Sequence, residues 1–234
     1  MSLLVNQPAG LGDIFFIQKI ISVLSEHDTV HHPVHPAFWY GGVDRVVTRA
    51  TGGPFGPFPD STVINLDQSL PMLGVPNDQL MKSKYDLVGI DYGDWADYFK
   101  YMRVSYSEMQ LADKLGVTGP FVLVNPYFGP PYNRKAIYET RGDVPDGYDG
   151  QVVEIDSRHA SNIFDWCWLL ENAEEIYTVD GSICYILETL DIKATRLTMH
   201  PRHYDYSKAL YDGILKRQWQ WAEYGEDRRV DAPL

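Results

Sequence analysis

Short apolar runs alternate with stretches of helical periodicity along this chain. Residues 3–7 (LLVNQ) form a brief apolar run that ends in Pro8-Ala9-Gly10-Leu11-Gly12-Asp13. The segment after it carries Ile14, Ile17, Ile21 and Leu24 at the three- and four-residue spacing of one helix face. Strand, glycine loop and helix in that order open a βαβ unit. A second strand is predicted around Thr29–Val34, followed by a Gly/Pro-rich region from Trp39 to Pro59. STVINLD (61–67) and YDLVGID (85–91) read as further buried strands. The stretch from Trp95 to Leu115 reads as helical, with Gly116 as its C-terminal cap.

Thr118-Gly119-Pro120 breaks the pattern, and the same alternation then restarts. PFVLVNP (120–126) is a predicted strand running into a Pro/Gly/Tyr loop, and GQVVEID (150–156) is another. Asn162 is a good N-cap for a helix carrying Ile163, Trp166, Cys167 and Leu170 on one face and stopping near Asn172. EEIYTVD (174–180) and TRLTMH (195–200) read as strands around a helix that starts at Gly181-Ser182. Residues 206–222 read as a long amphipathic helix, and the tail from Gly225 is polar. Strands alternating with helices imply parallel sheets. The restart near 118 implies two halves, 1–118 and 119–234, each Rossmann-like and facing the other across a cleft.

Composition narrows the function classes. With 234 residues, 44% hydrophobic and 22% charged, the chain reads as an ordinary soluble globular protein. A formal net charge of -12 repels phosphate backbones at long range, so no nucleic-acid partner is expected. The start lacks a signal-peptide pattern and no stretch approaches a membrane span, so a cytoplasmic location without a membrane span is expected. Cys167 and Cys184 sit in apolar, helix-like contexts and read as small core residues. His27, His31, His32 and His35 form a run interrupted by Pro33 and Pro36. Carboxylate or cysteine partners at suitable spacing are not obvious beside it, so no metal site is expected.

Three loops carry candidate chemistry. In Gly10-Leu11-Gly12-Asp13 the glycines allow a sharp turn and close approach of a ligand, although the third glycine of a dinucleotide fingerprint is missing. Asp13 either caps the helix or places a carboxylate where it takes a proton from a sugar hydroxyl. Asp180-Gly181-Ser182, between a strand and a helix, is either an ordinary turn or an anion site built from amides at the positive helix end. In the Asn125–Lys135 loop, Arg134 and Lys135 are either solvated charges or cations for a diphosphate, with Arg158 and His159 after the next strand.

Taken in order, these motifs resemble the GT-B glycosyltransferases, and most of all the heptosyltransferase-type family 9, which transfers ADP-heptose in lipopolysaccharide synthesis. The resemblance rests on Gly10-Leu11-Gly12-Asp13, on the helix end Leu111-Ala112-Asp113-Lys114-Leu115-Gly116-Val117, on Asn125-Pro126 with Arg134 or Lys135, and on Asp180-Gly181-Ser182-Ile183. It implies a metal-independent sugar transfer from a nucleotide-diphosphate sugar to an acceptor hydroxyl, with no further cofactor. Asp13 would be the general base. Gly12, Arg134, Lys135, Arg158, Asp180, Gly181 and Ser182 would belong to the donor and phosphate site. Three rivals stay open: a nucleotide-sugar epimerase, a silent nucleotide- or sugar-binding module of the same fold, and a flavodoxin-like single-sheet protein.

Overall fold

A computed structural model of the chain describes residues 2–7, 10–32, 45–48, 61–66, 75–128, 134–135, 144–160, 162–201 and 204–222. It divides into two compact units, Met1–Met102 with Ala209–Ile214, and Arg103–Lys208 with Leu215–Leu234. Each is an α/β unit on its own parallel sheet, so a single-sheet protein is set aside.

The first sheet has four parallel strands: β1 (Ser2–Asn6), β2 (Thr29–His32), β3 (Val46–Thr48) and β4 (Ser61–Asn65). Their spatial order is β3-β2-β1-β4. Between β1 and β2 the predicted helix is present in two pieces, α1 (Leu11–Phe16) and α2 (Gln18–Ser25). Its periodic face is the core face: Ile14, Phe15, Phe16, Ile17, Ile20 and Ile21 are buried. Each phenylalanine buried there contributes about 2 kcal/mol. Phe16 lies edge-on to Tyr85 and to Trp95, and Phe15 stacks on Phe99 at 4.5 Å. Strand β3 lies inside the Gly/Pro-rich region, where composition alone gives no strand signal.

Two expectations for this part of the chain are corrected. The apolar run 85–91 is not a strand. It is the end of helix α3 (Leu80–Asp86) and a turn in which Gly89 takes φ +68°. The buried positions Met81, Lys84 and Tyr85 have helical spacing, but the lysine among them hides the apolar stripe. The stretch 95–115 is not one helix either. Trp95–Tyr98 is a 3-10 turn, held where Trp95 Nε1 donates to Ile214 O at 2.9 Å. An extended link follows, and helix α4 spans Ser105–Lys114. The cap at Gly116 is as expected. Its φ is +66°, and the amides of Gly116 and Val117 bond back to Asp113 O and Ala112 O, the paired pattern of a glycine-terminated helix.

The second sheet has five parallel strands: β5 (Phe121–Asn125), β8 (Gln151–Glu154), β9 (Glu175–Val179), β10 (Arg196–His200) and β11 (Gln220–Trp221). Their order is β11-β10-β9-β5-β8. All five residues of β5 are buried, as a central parallel strand with both faces covered requires. Asn162 accepts from the Phe164 amide at 3.1 Å and opens a 3-10 turn that leads into α5 (Cys167–Asn172). Helix α6 spans Ser182–Leu187, and both cysteines are buried. Helix α4 packs on α5 and on the 3-10 turn before it, so packing groups residues 103–118 with the second sheet.

Residues 206–222 are not one long helix. Helix α7 spans Tyr204–Tyr211, and Gly213 at φ +69° ends the helical path. Beyond it, Arg217 Nε donates to Leu187 O at 2.7 Å and Trp219 Nε1 to Glu188 at 3.0 Å. These bonds tie the segment along α6 and bring Gln220–Trp221 beside β10 as an edge strand. Among the described residues, no helix is long and apolar enough to cross a membrane.

Candidate functional site at the sheet switch points

Strand order decides where a ligand fits in an open parallel sheet. Where successive crossovers leave a strand in opposite directions, the loops part at its carboxyl end and leave a crevice. In the first sheet β1 has β2 on one side and β4 on the other, so the crevice opens between β1 and β4. The loop that enters it after β1 is the Gly10–Asp13 loop. In the second sheet β5 has β8 on one side and β9 on the other, so the crevice opens between β5 and β9. The loops there begin with Asn125-Pro126 and with Asp180-Gly181-Ser182.

Asp13 lies in the first turn of α1, with its carboxylate paired to Lys84. Lys84 Nζ also donates to Gln7 Oε1 at 2.8 Å. The lysine side chain is fully buried, whereas that of Asp13 is 24% exposed. Gly10 fits beneath this carboxylate: a Cβ at position 10 would run into Asp13 Oδ2. Gly12 is half-buried in the same turn. Neither Lys84 nor Gln7 stood out in the sequence. The available signal was a lysine at i+3 from Met81 and just before Tyr85, on a face otherwise apolar. Such a lysine needs a buried acceptor.

At the second crevice Asn125 Nδ2 donates to Thr178 Oγ1 at 2.8 Å, and the Thr178 hydroxyl donates to Val179 O at 2.9 Å. Asn125 and Thr178 are both buried, so this link holds the carboxyl ends of β5 and β9 together. Asp180 is buried, and its amide donates to His200 O at 3.0 Å. Gly181 is extended, with φ -176°, and among the described residues a Cβ there would meet only Val179 O, at 3.9 Å. The described residues therefore leave room for a side chain at 181. Ser182 is the first residue of α6, whose opening bond runs from the Cys184 amide to Gly181 O at 3.1 Å. Gly181 and Ser182 thus stand at the strand-to-helix turn.

Arg134 and Lys135 form strand β7, which pairs antiparallel with β6 (Tyr127–Phe128). Lys135 stands opposite Tyr127 and Arg134 opposite Phe128. The hairpin thus returns two cationic residues to the chain just past Asn125. Arg158 is placed differently. It follows β8, on the side of β5 away from β9, and its guanidinium and amide both bind Asp156, at 2.7 and 2.8 Å. The Arg158 guanidinium holds the Asp156 carboxyl below the usual carboxylate range. Its own side chain is 80% exposed. His159 sends its carbonyl to Lys114 Nζ at 2.9 Å.

His32 is fully buried, and burial lowers its pKa to about 3. A histidine kept neutral in this way is a core residue. Among the described residues no group of three potential metal ligands converges. His35, loop residues 129–133, Ser161 and the tail beyond 222 lie outside the described residues. Two open recesses of about 680 and 510 Å³ lie along the amino-terminal edge of the second sheet. They are lined by Thr195, Arg196 and Trp219 and by Tyr148, Glu174 and Lys193, away from the crevice loops.

No family model matches the chain, and no curated protein does. Among solved structures the chain is similar to E. coli ADP-heptose LPS heptosyltransferase II, at 12% identity and a TM-score of 0.45. That similarity covers 97% of this chain and 91% of the other. By its own strand order the chain is a two-sheet parallel α/β protein, with one switch-point crevice in each sheet.

Proposed function

We propose that the protein transfers a sugar from a nucleotide-diphosphate sugar to an acceptor hydroxyl. One observation carries the reading: the loops singled out by their chemistry are also the loops that flank the β1/β4 and β5/β9 switch points. Nothing in residue spacing guaranteed that coincidence. In this proposal the diphosphate occupies the β5/β9 crevice. The amides of Gly181 and Ser182 meet it at the positive end of α6, and Arg134 and Lys135 supply cations. Arg158, after β8 on the other side of β5, would join them only by giving up its pair with Asp156. Asp156 and Asp180 then fix the loops rather than touch the anion.

The chemistry divides into two demands. The acceptor oxygen attacks the anomeric carbon and gives its proton to Asp13, while the bond from that carbon to the diphosphate oxygen breaks. The leaving diphosphate gains negative charge, which the cations and amides stabilise. The proposal assigns that charge to protein groups and none of it to a metal ion.

A thermal-shift screen against UDP, GDP and ADP tests the donor site. A nucleotide at 100 times its Kd stabilises the folded chain by about 2.7 kcal/mol. One nucleoside diphosphate should raise the melting point, and Arg134→Ala with Lys135→Ala should abolish the rise. Turnover of the matching nucleotide-sugar should then require Asp13. A chain that none of the three nucleotides stabilises would end the proposal.

A further inference from the structure

Lys84 is the described lysine that combines complete burial with a carboxylate partner at a crevice loop. Its ammonium contacts two groups from the β1 side, Asp13 and Gln7, and Gln7 is itself 3% exposed. The geometry is asymmetric. The cation is sealed in the interior, while its partner, in the first turn after the β1 loop, is 24% exposed. A buried ion pair is a poor stabilising device, because desolvation offsets most of the attraction. A pair of apolar residues would serve the core as well. The arrangement does fix one carboxylate oxygen against the protein floor, with Gly10 bare beside the other.

We propose that Lys84 is a positioning residue for Asp13, holding its carboxylate in one rotamer for proton acceptance. This rests on the reading of Asp13 as the base. Lys84 is fully buried, so it does not touch the acceptor; it acts through Asp13. The carboxylate then meets the hydroxyl preoriented, and misplacing such a group by about 1 Å costs roughly 100-fold in rate.

Two measurements test this on the intact chain. In the parent, NMR should detect a hydrogen-bond-mediated coupling between Lys84 Nζ and Asp13 Cγ, with the Lys84 ammonium protected from solvent exchange. An ammonium exchanging like a free lysine would overturn the proposal without touching the donor-site reading. In Lys84→Met, kcat should fall about 100-fold while nucleoside diphosphate affinity stays within about threefold. Lys84→Arg should recover kcat to within about tenfold of the parent. Lys84→Gln, with a donor but no charge, carries the methionine expectation if that variant does not fold. Parent-like kcat in a folded neutral variant would overturn the role. A pair seen by NMR in a protein that turns over no nucleotide-diphosphate sugar would sink the transferase reading, and this role with it.

Discussion

Gly10 and Asp13 are matched: the carboxylate of Asp13 occupies the space that a side chain on residue 10 would need. The Gly10 backbone is extended, with φ -169° and ψ 109°, so the demand for glycine is steric and comes from one neighbour. Gly10→Ala should destabilise the fold by about 1–3 kcal/mol, since overpacking displaces a group already paired to Lys84. Combining it with Asp13→Ala should cost less than the sum of the two single changes. Urea melts of the four proteins check this, and strict additivity would contradict it.

Gly181 gives the opposite expectation. Among the described residues nothing crowds a methyl there, and the backbone is open to any residue. Gly181→Ala should leave the melting point within about 2 °C, a surface-scale change of under about 0.5 kcal/mol. If the turn binds a diphosphate, the same methyl stands where the ligand must approach. Nucleotide affinity should drop at least about tenfold, the factor that 1.4 kcal/mol represents. Calorimetry showing parent affinity would remove Gly181 from the site.

Arg103 grips two carboxylates. It meets Glu108 at 2.6 and 2.9 Å and Glu171 at 2.5 and 2.8 Å, joining the start of α4 to α5. Glu108 is buried, and its hydrogen bonds push the Arg103 guanidinium further toward the charged form. Arg103→Met would strand the Glu108 charge. With Arg103 itself one-third exposed, the loss should be about 2–3 kcal/mol rather than the full buried-pair value. Adding Glu108→Gln should return part of it, as read by the urea midpoint.

His32 makes stability depend on pH in one direction. Its folded pKa of about 3 lies below the unfolded value of 6.5, so the unfolded chain binds the proton first. Stability is complete above about pH 6.5 and is lost as pH falls toward 3, at up to about 1.4 kcal/mol per unit. Chemical melts followed by tryptophan fluorescence should show this slope between pH 6.5 and 4.5. His32→Gln should flatten it. A slope unchanged by the substitution would assign it to other groups.

Asn125→Ala should cost about 2 kcal/mol, because Thr178 keeps its buried hydroxyl but loses the amide that bridges β5 and β9. The loss should appear as faster amide exchange at the carboxyl ends of both strands.

What the sequence determined was local. Apolar runs named β5, β9 and β10, the spacing of Ile14, Ile17 and Ile21 named the face of the first helix, and Asn162 and Gly116 marked helix ends through backbone bonding that spans only a few residues. Tertiary structure decided the rest. Strand order is a choice among crossovers between segments far apart in the chain, so the two switch points could not be seen in it. Lys84 lies 71 residues from Asp13, and its charge hid a helix that burial then revealed. Gln220–Trp221 became a strand rather than helix because Arg217 and Trp219 found partners on α6, an interaction that no local periodicity encodes.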